Sequence, residues 1–203
     1  MEFLVIMTTE VPDGTTPAEV TDMRAREAAH TQDLAGQGRV LRLWRPPLAP
    51  HEWRTIGLFA ADNPGELEST LASMPLRVWR TDEVTALGAH PNDPGRDEVR
   101  LMAGSAEFLV TFILRVPHGA SLETIDEMSA REAEHARKLA ADGWLIRLWT
   151  LPGHGRNLGH WQATGPGPMQ DILRSLPLAS WLTTETVPLT RHPSDPIGEV
   201  MVP

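Results

Sequence analysis

Two glutamate–histidine pairs with the same spacing are the residues of this chain best suited to proton transfer. Glu27 and His30 are three positions apart, and Glu132 and His135 repeat that spacing later in the chain. Residues three apart lie on one side of a helix. Burial raises the pKa of a carboxyl group towards the range useful for a general base, so each glutamate is a candidate base with its histidine as partner.

The same residues have two other interpretations. The glutamate and histidine could satisfy one another, or a strand residue such as Arg42, as a structural polar cluster. Glu-x-x-His also occurs in di-iron helical bundles, but those sites need further carboxylates on neighbouring helices, which we do not find in this sequence. We therefore predict no metal site, and a structural polar cluster stays open beside proton transfer.

The chain contains an internal duplication. A shift of 105 positions aligns Arg42-Leu43-Trp44 with Arg147-Leu148-Trp149, and a shift of 102 aligns His90-Pro91 with His192-Pro193. Such self-similarity indicates two copies of one folding unit. We predict a first repeat over residues 1–92, a linker over 93–105, a second repeat over 106–196 and a tail over 197–203.

Each copy has the element order of a ferredoxin-like fold. A strand leads to a helix that Thr16 or Ser121 caps and that Gly38 or Gly143 ends; two strands, a short helix and a last strand follow. This βαββαβ order predicts an α+β protein with an antiparallel sheet and both helices on one face. The stripe of the first helix that should face the sheet contains, in the two copies, Val20, Met23, Glu27, His30 and Leu34, and Ile125, Met128, Glu132, His135 and Leu139.

An arginine two positions before a tryptophan is a second candidate feature. Arg42 with Trp44, and Arg147 with Trp149, share a strand face because side chains alternate along a strand. An inward-facing arginine can bind a substrate carboxylate through paired hydrogen bonds, whereas an outward-facing one would stack on its tryptophan. The spacing does not separate these interpretations.

Composition excludes several classes of function. The 203 residues carry a formal net charge of −9 and no cysteine. The charge argues against nucleic acid as a partner, and the missing cysteines exclude disulfides, thiolate metal sites and a cysteine nucleophile. No apolar run is long enough to cross a bilayer, and the first strand starts at Glu2 without a signal peptide. We expect a cytoplasmic protein with a small-molecule substrate. His90 and His192, each before a proline, are interpreted as caps that follow the last strands.

These motifs resemble the muconolactone Δ-isomerase family, and the resemblance covers each repeat nearly end to end. It is most specific in the Gly-x-x-x-Arg-Leu-Trp strand, the Pro-Leu after the second helix, and the closing Arg191-His192-Pro193-Ser194. The second copy also keeps the loop Gly153-His154-x-x-Asn157. His154 and Asn157 are therefore candidate substrate-binding residues, beside Arg42, Trp44, Arg147 and Trp149.

The resemblance implies a dimeric α+β barrel in which two ferredoxin-like domains of one chain pair, with homo-oligomers of such chains as an option. It also implies a cofactor-free proton shift in an unsaturated γ-lactone with a carboxylate side arm, and Glu27 and Glu132 match the helix glutamate of the family. We predict a cofactor-independent acid–base isomerase or cyclase that acts on a lactone-like or carboxylate-bearing metabolite. The alternatives are a polyketide-type tailoring enzyme on the same barrel, and a small-molecule binding protein with a degenerate pocket. If only one half is active, the sequence favours the second.

Overall fold

A computed structural model describes residues 1–197, and its elements form two copies of one βαββαβ pattern. The first copy contains β1 (Glu2–Thr9), α1 (Pro17–Gly36), β2 (Val40–Arg45), β3 (Arg54–Ala60), α2 (Pro64–Ser73), a 3₁₀ helix (Pro75–Trp79) and β4 (Arg80–Ala89). The second contains β5 (Ala106–Leu114), α3 (Leu122–Ala141), β6 (Leu145–Thr150), β7 (Arg156–Ala163), α4 (Pro166–Ser175), a 3₁₀ helix (Ala179–Trp181) and β8 (Leu182–Arg191), and a 3₁₀ turn (Arg96–Glu98) lies between the copies. The predicted α+β class with two ferredoxin-like repeats is confirmed.

The chain divides into two compact units, and each unit includes the last residues of the other sequence repeat, which we call the exchanged segments. Unit 1 consists of Met1–Leu87 and a segment that begins at Thr190, and unit 2 consists of Gly88–Leu189. The repeat boundaries predicted from the sequence stay a prediction, because these units are defined by contacts and not by sequence repetition. Apart from Ile197, the predicted tail lies outside the described residues.

Each unit has its own antiparallel sheet. The strand order in unit 1 is β2-β3-β1-β4, and Thr190 and Arg191 pair with the other edge of β2. In unit 2 the order is β6-β7-β5-β8, and Gly88 and Ala89 pair with the other edge of β6. The exchanged residues therefore extend the sheet of the unit that they join.

Local sequence signals fix the two long helices. The Thr16 hydroxyl accepts a hydrogen bond from the Glu19 amide, and the Glu19 carboxylate accepts one from the Thr16 amide, which completes a capping box. Ser121 caps α3 by accepting from the Thr124 amide. Both predicted caps are confirmed, so the register of each helix glutamate is set at the start of its helix.

The core of each unit lies between its sheet and its helices. In unit 1, Phe3, Val5 and Met7 of β1 pack with Leu34 of α1 and with α2. In unit 2, residues of β5 (Phe108, Val110 and Phe112) pack with α3 and α4. These contacts bury apolar area worth about 25 cal/mol per Å². The candidate site is built in this helix–sheet layer.

An aromatic ring lies over a glycine at the same place in both units. The ring of Phe59 covers Gly57, and the indole of Trp161 covers Gly159. A Cβ atom on either glycine would overlap the ring, so the strand needs glycine here for close approach and not for an unusual backbone angle. The glycine lets the ring of the residue two positions later lie along the strand.

We expect Gly57→Ala and Gly159→Ala each to lower the free energy of unfolding by about 1–3 kcal/mol, because the ring must leave its position. Urea denaturation of the purified variants measures this. Gly167→Ala in α4 is the matched control, since no atom lies within 4 Å of its added Cβ; its stability should be unchanged or slightly raised. Equal losses in all three variants would contradict the packing described.

Candidate functional site

Each unit contains a partly open cavity between its long helix and its sheet, and the helix glutamate is part of the lining of each. The first cavity, in unit 1, has a volume of about 250 Å³ and contains Glu27. The second cavity, in unit 2, has a volume of about 220 Å³ and contains Glu132. The two predicted bases therefore face partly open cavities of the size of a small metabolite.

Glu27 is held by a buried arginine. Its Oε1 accepts a hydrogen bond from Nη1 of Arg80 at 3.0 Å, and its Oε2 accepts one from the Leu76 amide at 2.8 Å. The side chain of Arg80 is 2% exposed and also binds Asp82, with 2.6 Å between Nε and Oδ1. Both oxygens of Glu27 are therefore engaged, one by a backbone amide and the other by a buried cation.

Glu132 has the same backbone contact without the cation. Its Oε2 accepts from the Leu178 amide at 2.9 Å, as Glu27 does from Leu76. The residue that corresponds to Arg80 is Leu182, and within residues 1–197 no cation forms an ion pair with Glu132. Burial raises the pKa of Glu132, and the Leu178 amide and nearby His135 only partly oppose this shift. A carboxyl group in this environment suits general acid–base chemistry.

A histidine from the exchanged segment completes each cavity. His192 lines the first cavity and His90 lines the second. Nδ1 of His192 accepts from the Ser194 amide, and Nδ1 of His90 accepts from the Asn92 amide, both at 3.1 Å. The neutral ring therefore carries its proton on Nε2, which is available as a donor.

Burial keeps both of these histidines neutral near pH 7. It lowers the pKa of His90, although the carboxylate of Asp93 acts in the opposite direction. Burial, followed by the charges of Arg45 and Arg24, lowers the pKa of His192 to about 4. The interpretation of these residues as caps missed this placement. The signal that could have found them is the repeated His-Pro-x-Asp-Pro motif.

The hydrogen bonds of His30 and His135 go to the short helices and not to the glutamates, although the charge of His135 acts on Glu132. Nε2 of His30 shares a hydrogen bond with the Ser73 hydroxyl of α2 at 2.8 Å, and Nε2 of His135 shares one with Ser175 of α4 at 3.0 Å. Within the described chain no hydrogen bond joins either histidine to the glutamate three residues before it. Each histidine lies on the predicted helix, and its hydrogen bond joins that helix to the short helix of the same unit.

Arg42 and Arg147 bind internal carboxylates. Nε and Nη2 of Arg42 donate to Asp195 at 3.1 and 3.0 Å, and the same atoms of Arg147 donate to Asp93 at the same distances. Arg42 also lies over the ring of Trp44, 4.8 Å from its centroid. Each arginine therefore binds a carboxylate through paired hydrogen bonds, as predicted, but that carboxylate belongs to an aspartate of the chain.

The remaining predicted residues divide between the cavity and other positions. Asn157 lines the second cavity, whereas His154 is exposed in the loop between β6 and β7. Trp44 and Trp149 are buried; Trp149 stacks with Arg147, 4.8 Å from centroid to guanidinium, and neither tryptophan is among the residues that line the two cavities. Asn157 is therefore the predicted substrate-binding residue that this geometry supports.

Among residues 1–97 and 99–197, no three or more metal-ligating side chains lie together. Across the same residues, no helix is both long and apolar enough to cross a bilayer.

We predict that Glu132→Gln and Glu27→Gln change stability in opposite directions at pH 7. A raised pKa means that the folded state favours protonated Glu132; the stability that this adds at low pH is lost as pH rises through that pKa. The neutral amide should thus raise the free energy of unfolding by about 1 kcal/mol at pH 7, and this gain should vanish near pH 4.

Glu27→Gln should instead lower it by about 1–3 kcal/mol, because the variant leaves buried Arg80 with a single carboxylate partner. Thermal or urea unfolding between pH 4 and pH 7 measures both variants. A loss of similar size in both would show that Glu132 is as firmly paired as Glu27.

Both halves of the chain are similar in sequence to one family of known proteins. The family model of muconolactone delta-isomerase matches residues 1–93 and again residues 106–195. Muconolactone Delta-isomerase 1 of Acinetobacter lwoffii is 32% identical over 87 residues, which are 43% of this chain and 91% of the relative. The muconolactone Delta-isomerase of Rhodococcus opacus is 28% identical over 90 residues, which are 44% of this chain and 97% of the relative.

Two solved structures are similar over nearly the whole chain. A chlorite dismutase from Candidatus Nitrospira defluvii has a TM-score of 0.60 at 9% identity and covers 93% of this chain and 91% of its own. A heme-binding protein from Thermus thermophilus has a TM-score of 0.60 at 10% identity and covers 96% and 93%. At these identities the likeness bears on the fold alone, which is of the predicted α+β class. The two matches of the family model cover most of the sequence, and the chain therefore belongs to the muconolactone delta-isomerase family.

Proposed function

We propose that this chain is an acid–base isomerase that moves a proton within a small lactone-like metabolite, and that the second cavity is its site of action. The observation that carries the proposal is Glu132, a carboxyl group with a raised pKa and no ion-pair partner within the described residues. It shares its cavity with neutral His90. Membership of an isomerase family supports the reaction class.

Glu132 would act as the base. The Leu178 amide holds Oε2, so Oε1 is left for the substrate. Glu132 takes a proton from a carbon next to the ring carbonyl; a C–H bond breaks, an O–H bond forms, and the electron pair moves into a dienolate. The same carboxyl then returns the proton to another carbon of the conjugated system. A pKa nearer neutrality than that of a free glutamate makes the group effective in both steps.

His90 is placed to stabilise the enolate oxygen. The backbone amide of Asn92 occupies Nδ1, so the Nε2–H group of the neutral ring is the free donor. A fixed donor beside the reacting atoms stabilises charge that develops in the transition state. The proposed sequence of steps needs no cofactor, because the proton leaves and returns through one carboxyl group.

The second cavity favours a substrate whose reacting ring is uncharged. The described residues that line it include no arginine or lysine, and most are apolar, among them Phe112, Trp161 and Leu182. A carboxylate buried there would lose its hydration without gaining a cation. Any carboxylate side arm of the substrate is therefore expected to point out of this cavity.

The test is proton NMR in D2O with muconolactone and its methyl ester, which share a skeleton and differ in charge. Wild-type protein should isomerise the lactone or introduce deuterium next to the carbonyl, and the ester should react at least as well as the acid. Glu132→Gln should lower the rate by about 10²–10⁴-fold. The rate should also fall as pH drops below the raised pKa of Glu132.

Glu27→Gln is the matched control, since it makes the same chemical change in the first cavity and should keep the activity of the folded protein. Circular dichroism verifies that both variants fold. Loss of exchange in Glu27→Gln with retention in Glu132→Gln would move the chemistry to the first cavity. Folded wild-type protein that reacts with neither lactone would favour the small-molecule binding alternative.

A further inference from the structure

The last strand of the first repeat has one edge that is mostly unpaired. Residues 80–87 of β4 pair with β1, whereas the other edge of β4 pairs with β6 at Gly88 and Ala89. Within the described chain, no other backbone group bonds to that edge over residues 81–87, which we call the free edge of β4. Val84, in its middle, is 46% exposed. An unpaired strand edge presents N–H and C=O groups to which another strand can add.

The equivalent edge of β8 contains a proline. Phe108 of β5 lies opposite Pro188, and Phe3 of β1 lies opposite Ala86, so Ala86 and Pro188 hold the same place in the two repeats. Proline has no amide hydrogen, and in an edge strand its nitrogen faces away from the neighbouring strand. The amide of Ala86 therefore points away from β1, and so does the amide of Val84, because backbone groups alternate along a strand.

This difference bears on what the two edges can bind. Proline on an edge strand is one of the means by which proteins prevent another strand from adding there. The free edge of β4 has no proline and no lysine. The duplication thus provides an internal comparison, since one backbone plan has an obstructed edge in the second repeat and an open edge in the first.

We propose that the free edge of β4 is an interaction surface for the β4 strand of a second copy of this chain. The two strands run antiparallel about a two-fold axis at Val84, so one surface serves both partners. Residues 81–87 line neither of the two cavities. The inference therefore does not depend on the isomerase activity proposed above.

The outward amides determine the pairing. Val84 lies opposite the partner's Val84, and Asp82 lies opposite the partner's Ala86. Each of these pairs exchanges both of its N–H···O bonds, since all of these residues direct their backbone groups away from β1. The two half-exposed valines meet at the axis as a β-branched cross-strand pair. The Asp82 carboxylate binds Arg77 and Arg80 of its own chain, so its charge is balanced.

The neighbouring registers are less favourable. With the axis at Glu83, two carboxylates would lie directly opposite each other, which is destabilising. With the axis at Thr85, the partner's Asp82 would lie opposite Gly88, which already pairs with Thr150 of β6. The charge pattern and the existing pairing of β4 therefore both favour the axis at Val84.

Amide hydrogen exchange followed by NMR tests this surface in the unmodified protein. One added strand pair buries less than the roughly 1,200 Å² of a standard interface, so the dimer should be weak and reversible. As protein concentration rises, the amides of Val84 and Ala86 should become protected, because each gains a hydrogen bond. Thr184 and Thr186 hold the equivalent places to Asp82 and Val84 in β8 and are the matched control, whose exchange should not change. Amides of Val84 and Ala86 that still exchange as fast as this control at millimolar protein would overturn the proposal.

Ala86→Pro transfers the proline of β8 to β4. The variant should fold, because β8 accommodates Pro188 at the same place. In sedimentation equilibrium its dimer should dissociate at least about tenfold more readily than that of the wild type, since two hydrogen bonds are lost. Ala86→Ser keeps the amide hydrogen and should associate like the wild type.

A second variant keeps the test decisive if Ala86→Pro does not fold. Val84→Lys leaves the backbone of β4 intact and places two like charges at the axis, so it should also abolish association. Val84→Thr is its matched control, since it keeps a β-branched side chain without a charge. A folded Ala86→Pro or Val84→Lys variant that associates as strongly as the wild type would contradict the proposed pairing.

Discussion

Two buried arginine–aspartate pairs determine where the functional side chains lie. A buried guanidinium is costly unless carboxylate oxygens satisfy it. Asp195 binds Arg42 and also accepts the Leu43 amide, and Asp93 does the same for Arg147 and Leu148. Each aspartate comes three residues after a cavity histidine, so the pair that satisfies the arginine also fixes the segment that brings the imidazole into the helix–sheet layer. The positions of His192 and His90 in the two cavities depend on these pairs.

The two helix glutamates differ in one neighbouring side chain, which is Arg80 in unit 1 and Leu182 in unit 2. The amides of Leu76 and Leu178 hold Glu27 and Glu132 in the same way. At the start of the last strand of each repeat, Arg80 converts the first carboxylate into part of an ion-pair network, whereas Leu182 leaves the second in an apolar setting. Duplication allows this divergence, because one copy can keep its carboxyl group in an apolar setting while the other gains a cation beside it.

Much of the fold followed from local patterns, and much of the site did not. The strands predicted to carry Arg42 with Trp44 and Arg147 with Trp149 are present as β2 and β6, because apolar alternation and turn residues are short-range signals. The stripe of α1 that faces the sheet correctly contained Glu27. It also contained His30, but a step of three residues turns the helix about 60° away from a full turn, which is enough to direct the imidazole to Ser73 of α2. The partner of Arg42 was beyond prediction, since Asp195 is 153 residues away and its contact depends on the exchanged ends.

The exchange of ends also imposes an order of events on synthesis. A chain emerges from the ribosome with its earlier residues first, and domains generally fold in that order. Unit 1 cannot complete its folding first, because the ion pair of Arg42 needs Asp195 and the first cavity needs His192, and both residues are synthesised late. The second cavity draws on residues between His90 and Leu182, so it can close while the segment from Thr190 is still to be translated. The half of the molecule that is made first is thus the half that matures last.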